Sequence, residues 1–279
     1  MDGHNGKYER LLSLQAEVTQ AYRDLGCTGE PEPQPPQPIE TFYQPTPGID
    51  CHCCDFRNLP VEPGTVDAVV TDIPWDEKWL RHVPEFAKWC AKVLKHNGVL
   101  VTWYGQLFLD RCMEGLSQHL HYQWMFVSPF YGSSQNKSNF ITARYRPAVV
   151  YSVSKELRLH RATDDWCPGS LRVKGLHEHQ QPVPPTQFLV EAFSQEGSTI
   201  CDPCAGSFTT AEACYLTNRR FIGGDINPEC LGMARTRFNA LGLLSPVGIG
   251  KANGKELDES VARDIPHTQC PFCERRIPI

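Results

Sequence analysis

Two short stretches of this chain carry side chains whose types and spacing could do chemistry. They are Thr71-Asp72-Ile73-Pro74-Trp75 and the run from Asp202 to Thr210, with Asp225 standing 23 residues after Asp202. Each follows a β-rich apolar run, so each is expected at the carboxyl end of a buried strand, where α/β sheets bind ligands. In the second stretch a loop, Ala205-Gly206-Ser207-Phe208-Thr209-Thr210, leads into a helix, and Asp225 ends the next strand. An acid at that distance suits hydrogen bonds from ribose hydroxyls. The loop lacks the glycine pattern of a dinucleotide site and the GxxxxGK[ST] of a triphosphate site. A ribose without phosphates points to S-adenosylmethionine; the alternative is a plain strand–turn–helix with a solvated Asp225.

The first stretch joins an acid, a proline and an aromatic, which suits a pocket for a base. An exocyclic amine on a base is a poor nucleophile because its lone pair is conjugated into the ring. Asp72 and the carbonyl of Ile73 could accept both amine hydrogens and favour the pyramidal form, with Trp75 stacked on the ring. Asp72, Ile73, Pro74 and Trp75 are therefore the candidate catalytic residues. A base inside a duplex cannot reach such a pocket, so the target would be flipped out or already single-stranded. The alternative here is Asp72 as a helix cap and Trp75 as ordinary packing.

The elements that must position these residues are legible as strand–helix alternation. From Val66 the chain reads VDAVVTD, LRHVPEFAKWCAKVL, GVLVTWY, LFLDRCMEGLSQHL and YQWMFVSPF as strand, helix, strand, helix, strand. A second unit reads PTQFLVEAFS, STICDP, TTAEACYLTN, RFIGGDI and PECLGMARTRFNAL as helix, strand, helix, strand, helix. The expectation is an α/β protein with a doubly wound, mostly parallel sheet. Residues 1–40 read as an arm, with a helical pattern from Tyr8 to Leu25 and then the proline-rich GEPEPQPPQP; 41–245 form the main domain and 246–279 a tail.

The formal net charge of −5 argues against indiscriminate coating of nucleic acid, but the charge is uneven. Residues 1–50 hold three Lys/Arg against eight Asp/Glu, and residues 135–175 hold eight against three. The basic segment nominates Lys137, Arg144, Arg146, Arg172 and Lys174 as phosphate contacts, a solvated basic face being the alternative. The polar stretch Gln135–Asn139 is expected beside the target pocket. No apolar run approaches the roughly 20 residues that span a bilayer. The N-terminus has neither a signal-peptide nor a transit-peptide pattern, so a cytoplasmic or nucleoid-associated protein, not a secreted one, is expected. The thirteen cysteines then read as free thiols, Cys90, Cys112 and Cys214 being small core residues. His267, Cys270 and Cys273 form half of a zinc-type site, for which Cys51, Cys53 or Cys54 could supply a further ligand.

Taken in order, the motifs resemble the amino-methyltransferases of DNA, of phage or restriction-modification type, in the arrangement where the catalytic tetrapeptide precedes the cofactor motif. CDFRNLPVEPGTVDAVVTDIPW is similar to that family's first segment, with DIPW in place of D-P-P-[YFW]. HEHQQPVPPTQFLVEAFS is similar to its segment before the cofactor helix, and CDPCAGSFTTAEACYLTNRRFIGGDINPECLGMARTRF resembles its D-P-F-x-G-x-G-T-T loop, ribose acid and Asn-Pro-Glu helix start. The resemblance covers roughly residues 50–240. It implies a Rossmann-like methyltransferase fold using S-adenosylmethionine, with Asp202, Pro203, Ala205, Gly206 and Thr209 shaping the cofactor loop. Asp225 would sit on the ribose and Asp55 by the cofactor adenine. The implied substrate is an exocyclic amine in DNA, adenine N6 favoured by an aspartate at 72, with cytosine N4 or an RNA amine as alternatives. A different class, a degenerate core that binds nucleic acid and docks a protein partner through the N-terminal arm, also stays open. Ile73, Cys204, Phe208 and Gln181 depart from the family pattern, Phe208 standing where a glycine is usual. About 25 residues separate AVVYSVSK from Gln181, which leaves little room for a recognition domain and implies short or relaxed specificity.

Overall fold

Alternation of apolar residues along the strands builds two cores, one on each face of a single sheet. Val70, Val101 and Val150 face one core, while Val69, Leu100 and Val149 face the other, all of them buried. A computed structural model describes residues 41–131, 141, 143–157, 159, 163–171, 181–243, 267–269 and 276–278. The sheet comprises β1 (Phe42–Thr46), β2 (Ile49–Cys53), β3 (Val66–Asp72), β4 (Leu94–Trp103), β5 (His121–Tyr131), β6 (Tyr145–Ser152), β7 (Ser170–Leu171), β8 (Thr199–Asp202) and β9 (Arg220–Asp225). Their order is β1-β2-β9-β8-β3-β4-β6-β5-β7. The described helices are α1 (Val83–Val93), α2 (Leu109–Leu116), α3 (Val183–Phe193), α4 (Thr209–Leu216) and α5 (Glu229–Ala240). A separate two-stranded ribbon joins β10 (His267–Gln269) to β11 (Arg276–Pro278).

Helix α1 shows why the sequence folds this way. Val83, Phe86, Ala87, Cys90 and Val93 recur at helical spacing and are all buried, and a proline in its first turn lacks only a donor that would be unpaired there anyway. Helices α1 and α2 cover one face; α3, α4 and α5 cover the other. The expected alternation is present, and the strand expected before Phe130 extends over the whole of β5. Two features depart from it. Strand β6 runs antiparallel to both β4 and β5, and β1–β2 is an antiparallel hairpin added at one edge. The pairs β2–β9, β9–β8, β8–β3 and β3–β4 are parallel, so the sheet is mixed with a parallel centre.

Strands β3 and β8 lie side by side, yet the helix that follows β3 packs on one face and the helix that follows β8 packs on the other. This is a topological switch point, where the loops diverge and leave a crevice at the carboxyl ends of the strands. Asp72 ends one of these strands and Asp202 ends the other. The N-terminal arm and the stretch Gln135–Asn139 lie outside the described residues.

Candidate active site

The loop after β8 is shaped from beneath. Asp202 is 3% exposed; it accepts hydrogen bonds from the Thr210 hydroxyl at 2.7 Å and from the Cys204 backbone N–H at 3.2 Å. Burial outweighs these donors and raises its carboxyl to about 7. Pro203 and Ala205 are buried, and the Ala205 N–H donates to the Gly224 carbonyl of β9 at 2.9 Å. Gly206 has φ +49 and open space where a side chain would begin. Its N–H donates to Asp225 at 2.9 Å, and the second Asp225 oxygen accepts from the Asn227 N–H at 2.9 Å. A carboxylate offers about four acceptor positions, so Asp225 keeps capacity for ribose hydroxyls.

Phe208 takes the left-handed conformation that its usual glycine would favour, with φ 58. Its ring is fully buried and meets Phe221 edge-on at 6.2 Å, so it fills core rather than the open side of the loop. The departure from the family pattern costs backbone strain and adds aromatic packing.

The loop is also clamped by a residue that motif reading missed. Arg237 of α5 is buried; it donates to the Ser207 carbonyl at 2.8 Å, to the Ser207 hydroxyl at 3.2 Å and to the Thr209 hydroxyl at 3.1 Å, and it pairs with Glu212. The sequence signal was a charge three residues after Ala234, on a helix stripe that otherwise holds Cys230, Leu231, Ala234 and Phe238.

At the end of β3, side chains from two separate segments bond Asp72. The Trp75 indole N–H donates to one carboxylate oxygen at 2.8 Å, and the Gln181 amide donates to the other. Ile73 is buried, which anchors the turn, and Trp75 is 40% exposed with one edge against Gly105. Asp72 is therefore neither a helix cap nor a solvated acid. Gln181 reaches both halves, because its backbone carbonyl accepts from the Thr209 hydroxyl at 3.0 Å.

Asp55 follows β2, whose last residue Cys53 pairs with Asp225 of β9, so the two acids share one edge. Asp55 caps a short 3-10 turn at Phe56–Asn58 and pairs with Arg57 at 2.9 Å. The basic segment divides. Arg144 is exposed, whereas Arg146 is only 6% exposed, with its guanidinium 4.3 Å from the Trp103 ring centroid. Arg146 is thus corrected from a surface phosphate contact to an interior residue, because it shares its strand face with Ala148 and Val150. Lys137, Arg172 and Lys174 lie outside the described residues. So do Cys270 and Cys273, and of His267 only the backbone is described. Among the described residues no group of three or more His, Cys, Asp or Glu could hold a metal ion. Cys90, Cys112 and Cys214 are buried free thiols, pushed up by burial, as expected of core residues. Among the described residues no helix is long and apolar enough to cross a membrane.

Residues 150–235 match the family model described as DNA methylase. The chain is 29% identical over 153 residues to the type II methyltransferase M.HhaII of Haemophilus parahaemolyticus, spanning 52% of this chain and 65% of that relative. Its fold is similar to the crystal structure of the M1.HpyAVI–SAM complex, with TM-score 0.55, 18% identity, and coverage of 68% of this chain and 98% of that one. It is also similar to the PvuII DNA methyltransferase (cytosine-N4-specific), with TM-score 0.60, 14% identity, and coverage of 72% and 89%. The matched segment contains Asp202, the loop and Asp225, while Asp72 lies upstream of it. Sequence and fold together support the resemblance read from the motifs, that of a DNA amino-methyltransferase of restriction-modification type with a Rossmann-like α/β core.

Proposed function

We propose that the protein is an S-adenosylmethionine-dependent methyltransferase acting on an exocyclic amine of a base in DNA, with adenine N6 favoured and with short or relaxed sequence specificity. One observation carries this reading: Asp72 and the loop that follows Asp202 stand at the carboxyl ends of the neighbouring strands β3 and β8 and are tied together through Gln181, which bonds Asp72 and Thr209. The residues present fit the cofactor. Gly206 leaves open space above its backbone, and the carboxylate at the end of β9 suits ribose hydroxyls better than phosphates. When bound, the cofactor supplies an electrophilic methyl group on a sulfonium.

The chain's own residues do the rest. The Asp72 carboxylate and the Ile73 carbonyl accept the two amine hydrogens and turn the nitrogen lone pair out of conjugation. Trp75 stacks on the base while its N–H fixes the Asp72 carboxylate. As the nitrogen gains its methyl it becomes cationic and sheds one proton, which the Asp72 carboxylate is placed to accept. Exposed Arg144 is the phosphate contact that the described residues offer, and Lys137, Arg172 and Lys174 are assigned the same role from the sequence alone. Asp55, at the end of the same sheet edge as Asp225, would be the residue near the adenine of a bound cofactor, as the resemblance implies. The tail of His267, Cys270 and Cys273 is a zinc proposal of its own, tested by metal analysis of the purified protein.

The test is to incubate the protein with labelled S-adenosylmethionine and duplex DNA, single-stranded DNA or RNA, then digest each and identify the product by mass. N6-methyladenine in DNA is expected, at a density that reports specificity. N4-methylcytosine or an RNA product moves the substrate and overturns the adenine assignment. Cofactor binding with no product overturns the activity and favours a non-catalytic subunit.

A further inference from the structure

The interior position of Arg146 has a consequence for Asp72, one that rests on the function proposed above. Asp72 of β3 lies opposite Trp103 of β4 in the parallel register, and Trp103 lies opposite Ala148 of β6. Asp72, Trp103 and Ala148 thus form a row across one face, and Arg146, two residues from Ala148 and opposite Ser128 of β5, stands on that same face one step further toward the carboxyl ends of β3 and β4. Trp103 is 2% exposed, and the guanidinium rests on its ring. A guanidinium stays charged even when buried. Burial disfavours that charge and the nearby Asp72 supports it, so the two ions act on each other within a water-poor layer. The other titratable groups facing this pair are Asp202 and Cys204 from β8 and its loop, and Cys167 beside Arg146. An anion at Asp202 opposes ionisation of Asp72; Arg146 acts the other way.

We propose that Arg146 is a positioning residue of the methyl-transfer site: clamped on Trp103, it keeps Asp72 an ionised hydrogen-bond acceptor directed at the target amine. It touches neither base nor cofactor and acts through Asp72. A merely structural arginine would affect folding but would not set the titration of Asp72.

The Trp75 indole N–H, bonded to Asp72, provides a reporter that does not need turnover. Its NMR resonance, assigned with Trp75→Phe, is followed against pH in the wild type and in Arg146→Met, Arg146→Gln and Arg146→Lys. The neutral variants are expected to move the midpoint upward by about one pH unit, and lysine to restore it. The kcat profile for DNA methylation should shift with it, falling about tenfold on its acid limb and recovering at high pH, with KM for the cofactor unchanged. Should the methionine variant fail to fold, the glutamine variant gives the same readout with a polar group in place. An unmoved midpoint in a folded, cofactor-binding neutral variant overturns the proposal, as does a lysine variant that titrates like the neutral ones. A wild type that methylates no base, with a midpoint that still moves, overturns the proposed function and leaves the Arg146–Asp72 link standing.

Discussion

At the end of β8, Asp202, Ser207 and Thr209 are buried and fixed by backbone groups, by Thr210 and by Arg237. At the end of β3, Trp75 is 40% exposed and Asp72 depends on side chains from the turn and from Gln181, 109 residues away. The cofactor side is preformed by local sequence and core packing. The target side is assembled by long-range side-chain contacts. On the proposed function, this difference matches what each side would do: a constant cofactor favours rigid backbone donors, whereas a base entering from a nucleic acid needs an open aromatic edge.

The contrast can be broken first at its target end. Asp72→Ala is expected to lower methyl transfer at least about 1000-fold, in line with loss of a transition-state acceptor; single-turnover rates check this, and retained activity removes Asp72 from its role. Next in size is the clamp. Arg237→Met leaves Glu212, whose side chain is 15% exposed, without its buried partner and is expected to cost about 3 kcal/mol in urea unfolding, with the Arg237→Met, Glu212→Gln double variant recovering part of it.

Phe208 sets two effects against each other. Its left-handed backbone costs about 1–2 kcal/mol, and truncating a buried phenylalanine costs about 3–5 kcal/mol, so packing wins. Phe208→Ala should lose about 3 kcal/mol and Phe208→Gly about 2 kcal/mol; a glycine variant as stable as the wild type would show that strain dominates instead.

The remaining effect is a pH slope. Asp202 has its carboxyl raised from 3.8 to about 7, so the folded chain holds a proton that the unfolded chain has released. Stability from this group is present below 3.8 and is lost as pH rises through about 7. The Tm of Asp202→Asn relative to wild type should therefore increase between pH 5 and pH 8, and a flat difference would place the ionised form in the fold throughout.

Local patterns made much of this fold legible. The β-branched run of β3, the helical spacing of α1 and the loop at Ala205–Thr210 are each written in a short consecutive stretch. Direction in the sheet was not, because the apolar run of β6 has the same pattern in either orientation. Arg146 was counted with the surface charges, although its parity with Ala148 and Val150 marks it for the buried face. Gln181 showed only as a departure from the family pattern; its reach to Asp72 is a tertiary fact. Arg237 was concealed within a segment read simply as a helix.

The division into a preformed cofactor side and an assembled target side is tested most directly by calorimetric titration of S-adenosylmethionine into wild type, Asp72→Ala and Asp225→Ala. Affinity within about twofold of wild type for Asp72→Ala, and a loss of at least about tenfold for Asp225→Ala, is the predicted result. Binding lost in the first variant, or kept in the second, would contradict it.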